Sequence, residues 1–390
     1  MTRTLLYSGF VLTGIVNTVL GPVLPWLAAR WSLSDAAAGS LFTVQFAGSL
    51  TAGALSGLIA SRIGVGRTMA LGYALMGLGL MTMTASAKAV GIGGIAAAGV
   101  GLGCVIPLTN LMAARLTPAR AAGALGAVNL CWGLGAALWP LIVATSVRRS
   151  SLATAIVVVC ILLFATIVPF ARAVFPADAP NPEHDQAGRA VSVSLTGLAV
   201  SGACIALYSG VESAIGGWVT EYARRIAIEA TDDRWELAAS IFWGGVTGGR
   251  AVVAMWLTRR WETPAMFGGL GAVASAIAML LAAPALREGP GVSMVLAAAL
   301  LCGAGLSPIF PVTVAAVARQ FPTRLAGPMV ALGSLGAGVL PWVVGAISDR
   351  RGSLAIGFAA LAVFVVALAA LQAQRVGIFR LKPEATRNPR

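Results

Sequence analysis

Apolar runs of about 20 residues, the length of helix that crosses a bilayer, recur twelve times along this chain. Their approximate limits are 5–29, 37–61, 68–87, 89–113, 121–146, 151–175, 191–223, 236–258, 264–287, 291–318, 325–348 and 353–376. Only 11% of the residues are charged, against roughly a quarter in soluble domains. The chain therefore reads as an all-α integral membrane protein with 12 transmembrane helices.

An even number of spans puts both termini on one side. With the N-terminus inside, sixteen lysines and arginines fall on the inner side and ten on the outer, with Arg250 in the membrane. Cytoplasmic loops carry the excess of basic residues, so both termini are expected in the cytoplasm of a multi-pass protein of the cell (inner) membrane. The formal charge of +13 does not point to nucleic acid, because the basic residues are spread over short loops and form no clustered face. Membrane lipids are the expected neighbours, around a monomer. The first run ends in Leu27-Ala28-Ala29, which looks weakly cleavable, but it is too long for a signal-peptide core and reads as the first span.

Cys104, Cys131, Cys160, Cys204 and Cys302 all lie inside apolar runs and form no CxxC pair, so buried thiols are expected. The single histidine, His184, sits in a polar loop. No Ser–His pairing, metal constellation or pair of buried carboxylates is present, so no catalytic residue, metal or cofactor is expected, and the chain does not read as an enzyme.

The polar stretch Pro176–Arg189 falls between the sixth and seventh runs and divides the spans equally. The expected organisation is a six-helix bundle over 1–175, a cytoplasmic linker over 176–190, a second six-helix bundle over 191–378 and a disordered cytoplasmic tail over 379–390. The halves repeat one another. Gly101, Pro107, Arg115, Pro118, Arg120 and Gly123 recur as Gly305, Pro311, Arg319, Pro322, Arg324 and Gly327, all at an offset of 204 residues. Duplicated halves of this kind place a transport site at their interface, near the membrane midplane.

Glu212 in the seventh run and Arg250 in the eighth are the charges set deepest in apolar sequence. A charge at the bilayer centre costs about 2.5–3.5 kcal/mol on insertion scales, so it needs a partner or a watered cavity. Two readings stand: a structural ion pair that ties two helices together, or a substrate or ion site in a central cavity. Prolines inside the spans, among them Pro22, Pro107, Pro140, Pro308, Pro311 and Pro341, are expected to kink their helices.

Between the second and third spans, Gly57-Leu58-Ile59-Ala60-Ser61-Arg62-Ile63-Gly64-Val65-Gly66-Arg67 resembles the cytoplasmic loop motif of the major facilitator superfamily, G-x-x-x-D-R-x-G-R/K-R/K. Gly57, Arg62 and Gly64 match it and Arg67 falls one position past its basic pair; these four are the gating or loop residues expected, and Ser61 replaces its acid. Within that superfamily, VNTVLGPVLPWL (16–27), GLGCVIPLTN (101–110), AVNLCWGLGAALWP (127–140), YSGVESAIGGW (208–218), FWGGVTGGR (242–250) and LPWVVGAISDRRG (340–352) resemble the fucose–glucose–galactose symporter group. The resemblance implies the major facilitator fold, two pseudo-symmetric six-helix bundles that transport by alternating access.

The sugar–proton members carry two carboxylates that bind substrate and a coupling proton. Here those positions are Gly21 and Ile106, which leaves Glu212 as the candidate for a coupling proton or sodium ion. The substrate-binding set expected from the residues and the resemblance is Asn17, Gln45, Asn110, Asn129, Trp132, Tyr208, Glu212, Trp243 and Arg250. Amides pair donor and acceptor groups with hydroxyls, and aromatic faces stack on the apolar faces of sugars. The function expected is a secondary active or facilitative transporter for a small polar solute, a sugar first. The alternative is a carrier or exporter of organic anions that uses Arg250 as its anion-binding group.

Overall fold

In lipid, backbone polar groups have no water to pair with, so apolar runs must close their hydrogen bonds internally, as helices do. The computed structural model describes residues 2–116, 121–149, 151–175, 195–228, 233–320 and 323–380, and contains no strand among them. The linker 176–190 and the tail 381–390 lie outside the described residues.

The first half comprises α1 (Thr2–Asn17), α2 (Leu20–Trp31), α3 (Asp35–Ile63), α4 (Val65–Met83), α5 (Lys88–Arg115), α6 (Ala121–Arg149) and α7 (Leu152–Arg172). The second comprises α8 (Leu195–Ile226), α9 (Ala238–Trp256), α10 (Glu262–Ala282), α11 (Gly291–Leu306), α12 (Ile309–Gln320), α13 (Thr323–Arg351) and α14 (Leu354–Arg380). Eleven segments are long and apolar enough to cross a membrane. The remaining helix, α4, has 19 residues, and Arg67 with Gly66, Gly72, Gly77 and Gly79 lowers its hydropathy. It packs against α5 and α7 and completes the twelve. The last span runs on to Arg380, four residues past the expected 376.

Two spans are broken, each at a proline. Pro22 has no N–H for the carbonyl of Thr18 and its ring crowds that residue. The helix accordingly stops at Asn17 and restarts at Leu20. Pro308 separates α11 from α12 in the same way. Pro107 and Pro140 stay inside continuous helices. The break in the first span is capped by its neighbours: Gln45 Nε2 donates to the carbonyls of Asn17 (3.1 Å) and Val16 (3.5 Å), and Trp139 Nε1 to that of Val19 (3.2 Å). Trp139 is itself fully buried.

The repeat is visible in the packing. A Cβ on Gly101 would lie 2.5 Å from the Gly72 carbonyl oxygen, and one on Gly305 would lie 2.7 Å from that of Gly269. At matching positions, then, a span of each half presses its backbone on its neighbour, as small residues allow in membrane helices. The halves meet along α3–α13, α6–α9 and α2–α8. Helices alternate in direction, so α1 starts, and α7 and α14 finish, at one end of the bundle, here the terminal end; α3 starts, and α8 and α13 finish, at the far end.

Candidate functional site

Glu212 on α8 and Arg250 on α9 point at each other. Arg250 NH2 donates to Glu212 Oε1 at 2.7 Å, with side chains 15% and 13% exposed respectively. Tyr208 lies one turn before Glu212 on α8. Its hydroxyl donates to the same Oε1 at 2.6 Å and accepts from Arg250 NH2 at 3.0 Å, closing a three-member ring. The guanidinium carbon sits 5.7 Å from the ring centroid of Trp132 on α6 and 5.8 Å from that of Phe310 on α12. A cation over aromatic faces is stabilised by their quadrupoles, more so when desolvated. Trp132 belongs to the other half, so Arg250 contacts both.

The pair borders a cavity of about 200 Å³ between the halves. Asn17, Asn110, Asn129 and Trp132 line it from the first half, and Glu212, Trp243 and Arg250 from the second. Asn129 Nδ2 donates to Asn110 Oδ1 at 3.4 Å, and each amide also donates to a carbonyl one turn back in its own helix. Trp132 and Trp243 meet edge to face across the halves, centroids 5.6 Å apart. Arg250 Nε and Trp243 Nε1 are buried and have no hydrogen-bond partner among the described residues. A buried donor left unpaired is costly.

Two of the expected site residues stand off the cavity wall. Gln45 is 1% exposed and its amide is committed to the broken first span. Tyr208 is also 1% exposed and sits behind the ion pair, positioning it. Two further polar groups on these spans are taken up by the scaffold: Trp218 Nε1 donates to the Pro341 carbonyl at 2.9 Å, and Thr313 Oγ1 accepts from Gln372 at 2.7 Å. Sequence reasoning missed Ser209, Ser213 and Ser334, and the rings of Phe42 and Phe46, all of which line the cavity. A serine in an apolar helix ordinarily bonds to its own backbone, so type alone does not single it out.

Gly21 and Ile106, where the resemblance places carboxylates, both line the cavity. In the loop motif, Arg62 and Arg67 are exposed and Gly64 turns the chain at φ +89°, where a side chain would be strained. Gly57 makes no close helix approach, since a Cβ there would meet nothing within 4 Å. Among the described residues no His, Cys, Asp and Glu side chains group as a metal site.

The sequence model of the Major Facilitator Superfamily matches residues 6–329. No curated protein matches the chain in sequence. Among solved structures, a D-xylose-proton symporter aligns over 95% of this chain and 96% of its own, with 16% identity and a TM-score of 0.75. A nucleoside transporter aligns over 95% and 98%, with 13% identity and a TM-score of 0.73. A bacterial homolog of the human lysosomal transporter Spinster, inward-facing and occupied, aligns over 96% of both chains, with 15% identity and a TM-score of 0.70. At these identities the likeness is one of fold.

Proposed function

The chain belongs to the Major Facilitator Superfamily and is a multi-pass membrane transporter rather than an enzyme, and from that premise we propose that it moves a small, uncharged, hydroxyl-bearing solute, a sugar first, by alternating access. The observation that carries this reading is the Glu212–Arg250 pair at 2.7 Å on the cavity wall. The charges offset each other, so the cavity has no net charge with which to attract an ion. It still offers what a polyol needs. The described hydrogen bonds of the carboxylate engage only Oε1, Arg250 Nε and Trp243 Nε1 have no partner among the described residues, and the amides line the cavity from the other half. One of the structural neighbours is a xylose symporter, which supports a sugar, while another carries nucleosides, which share the hydroxyl-rich ribose.

Glu212 is the one carboxylate among the described lining residues. A coupling proton or sodium ion would bind there in competition with Arg250. We place both termini in the cytoplasm and take the working unit as a monomer in the cell membrane. The organic-anion reading has less support, because an anion would have to displace Glu212 from Arg250. Counterflow into proteoliposomes loaded with a pentose, a hexose, a nucleoside or a dicarboxylate separates these readings. Exchange of a neutral solute is expected; exchange of the dicarboxylate alone would contradict the assignment.

A further inference from the structure

At the far end of the bundle the two halves are joined by charges that the transport site does not use. Asp349, near the end of α13, accepts the backbone N–H of Asp35 on Oδ1 at 2.8 Å and that of Ala36 on Oδ2 at 2.9 Å. Those are the first two residues of α3, in the other half. The first amides of a helix have no partner within it and carry the positive end of its dipole. Ser34, the N-cap of α3, takes only the amide of Ala37. The first helix of the contact thus borrows the rest of its cap from the opposite bundle.

The Asp35 side chain completes the join. Arg225, at the end of α8, donates to it from NH1 at 2.8 Å and NH2 at 2.5 Å, and Ser348 Oγ donates to Oδ2 at 2.5 Å. Arg225 is itself held by Glu221, which is 3% exposed and accepts its Nε at 2.7 Å. Glycine permits the approach, because a Cβ on Gly345 would collide with the Asp35 carbonyl oxygen. At the terminal end, the turn between α3 and α4 shows nothing equivalent among its described side chains. Ser61 Oγ donates to Leu58 in its own helix at 2.8 Å, and Arg62 and Arg67 are exposed.

We propose that Asp349, Asp35, Arg225 and Ser348 form a latch that holds the far end shut, so that the empty transporter rests with its cavity facing the terminal end. Rocking the halves apart at the far end uncaps α3 and separates Arg225 from Asp35 in one movement. The latch is independent of the cargo and of the sugar reading.

The test is a distance between the halves at the far end, in detergent and without substrate. Lys88 on α5 and Glu288 beyond α10 are both exposed there, and spin labels on Lys88→Cys and Glu288→Cys report it by pulsed dipolar spectroscopy. The latched protein gives one dominant short distance. Asp349→Ala and, separately, Asp35→Ala each add a longer population of at least a fifth of the molecules. Arg224→Ala serves as control, because Arg224 bonds Glu221 within its own helix and, among the described residues, shows no bond to the other half; it leaves the distribution unchanged. An unchanged distance in the folded Asp variants would overturn the latch, and so would an equal shift in Arg224→Ala. Should Asp349→Ala not fold, Asp349→Asn and Ser348→Ala read the same contact, and single short distances in both would overturn it equally.

Discussion

Gly21 on α2 and Gly216 on α8 touch across the interface between the halves: a Cβ on Gly21 would fall 2.6 Å from the Gly216 carbonyl oxygen. This is the position where the resemblance to the sugar–proton symporter group implies a carboxylate. Here a backbone contact occupies the space that a side chain at position 21 would need. Gly21→Asp is expected to hold α2 off α8 and lower the thermal midpoint, with no gain of proton-driven uptake. Uptake by the variant that rises with an imposed pH gradient would refute this.

Replacing one member of the ion pair leaves the other stranded. Breaking a buried pair costs about 3–5 kcal/mol, and less where solvent reaches it. Glu212 and Arg250 are slightly exposed through the cavity, so each of Glu212→Gln and Arg250→Gln is expected to cost about 2–4 kcal/mol. The double variant should recover part of that loss, because no charge remains uncompensated. Chemical denaturation of all four proteins closes the cycle; additive losses would contradict direct coupling.

Tyr208→Phe removes one hydroxyl that serves both charges, at a cost of about 1–3 kcal/mol. Because Tyr208 stands behind the cavity wall, ligand affinity should fall less than in Arg250→Gln. Isothermal titration with the best ligand ranks the two; the reverse order would place Tyr208 in contact with substrate.

Gln45 separates a structural role from a binding one. Its amide caps the carbonyls freed at the break in the first span. Gln45→Leu is expected to lower stability by about 1–3 kcal/mol and to change affinity only through Asn17, whose carbonyl it holds. A variant with unaltered stability and abolished binding would show that Gln45 reaches the ligand.

The twelve spans and the duplicated halves were legible in the sequence, because run length and repeat spacing are properties of the chain itself. So were Glu212 and Arg250, since a charge deep in an apolar run has few innocent explanations. The azimuth of a side chain was not. Gln45 and Asn17 are both amides in apolar helices, and which of them faces the cavity depends on how α3 rotates against α1. The fate of Trp139 was hidden too, because its partner is a carbonyl that exists as an acceptor only once Pro22 has broken another helix. The latch escaped notice for a different reason. Asp35, Arg225 and Asp349 sit at span ends, where charges are the default, and only their meeting in space distinguishes them.

We propose that a charge-balanced Glu212–Arg250 pair makes this a site for a neutral, hydroxyl-bearing solute. Thermal-shift titration of the purified protein with sugars and with small organic anions, repeated on Arg250→Gln, tests it most directly. A ligand that binds only the folded state raises its midpoint with occupancy. Stabilisation by a pentose or hexose, weakened at least tenfold in apparent affinity in Arg250→Gln and unmatched by any anion, is the result predicted. Stabilisation by anions alone, abolished in Arg250→Gln, would contradict it and make Arg250 the anchor of an anion carrier.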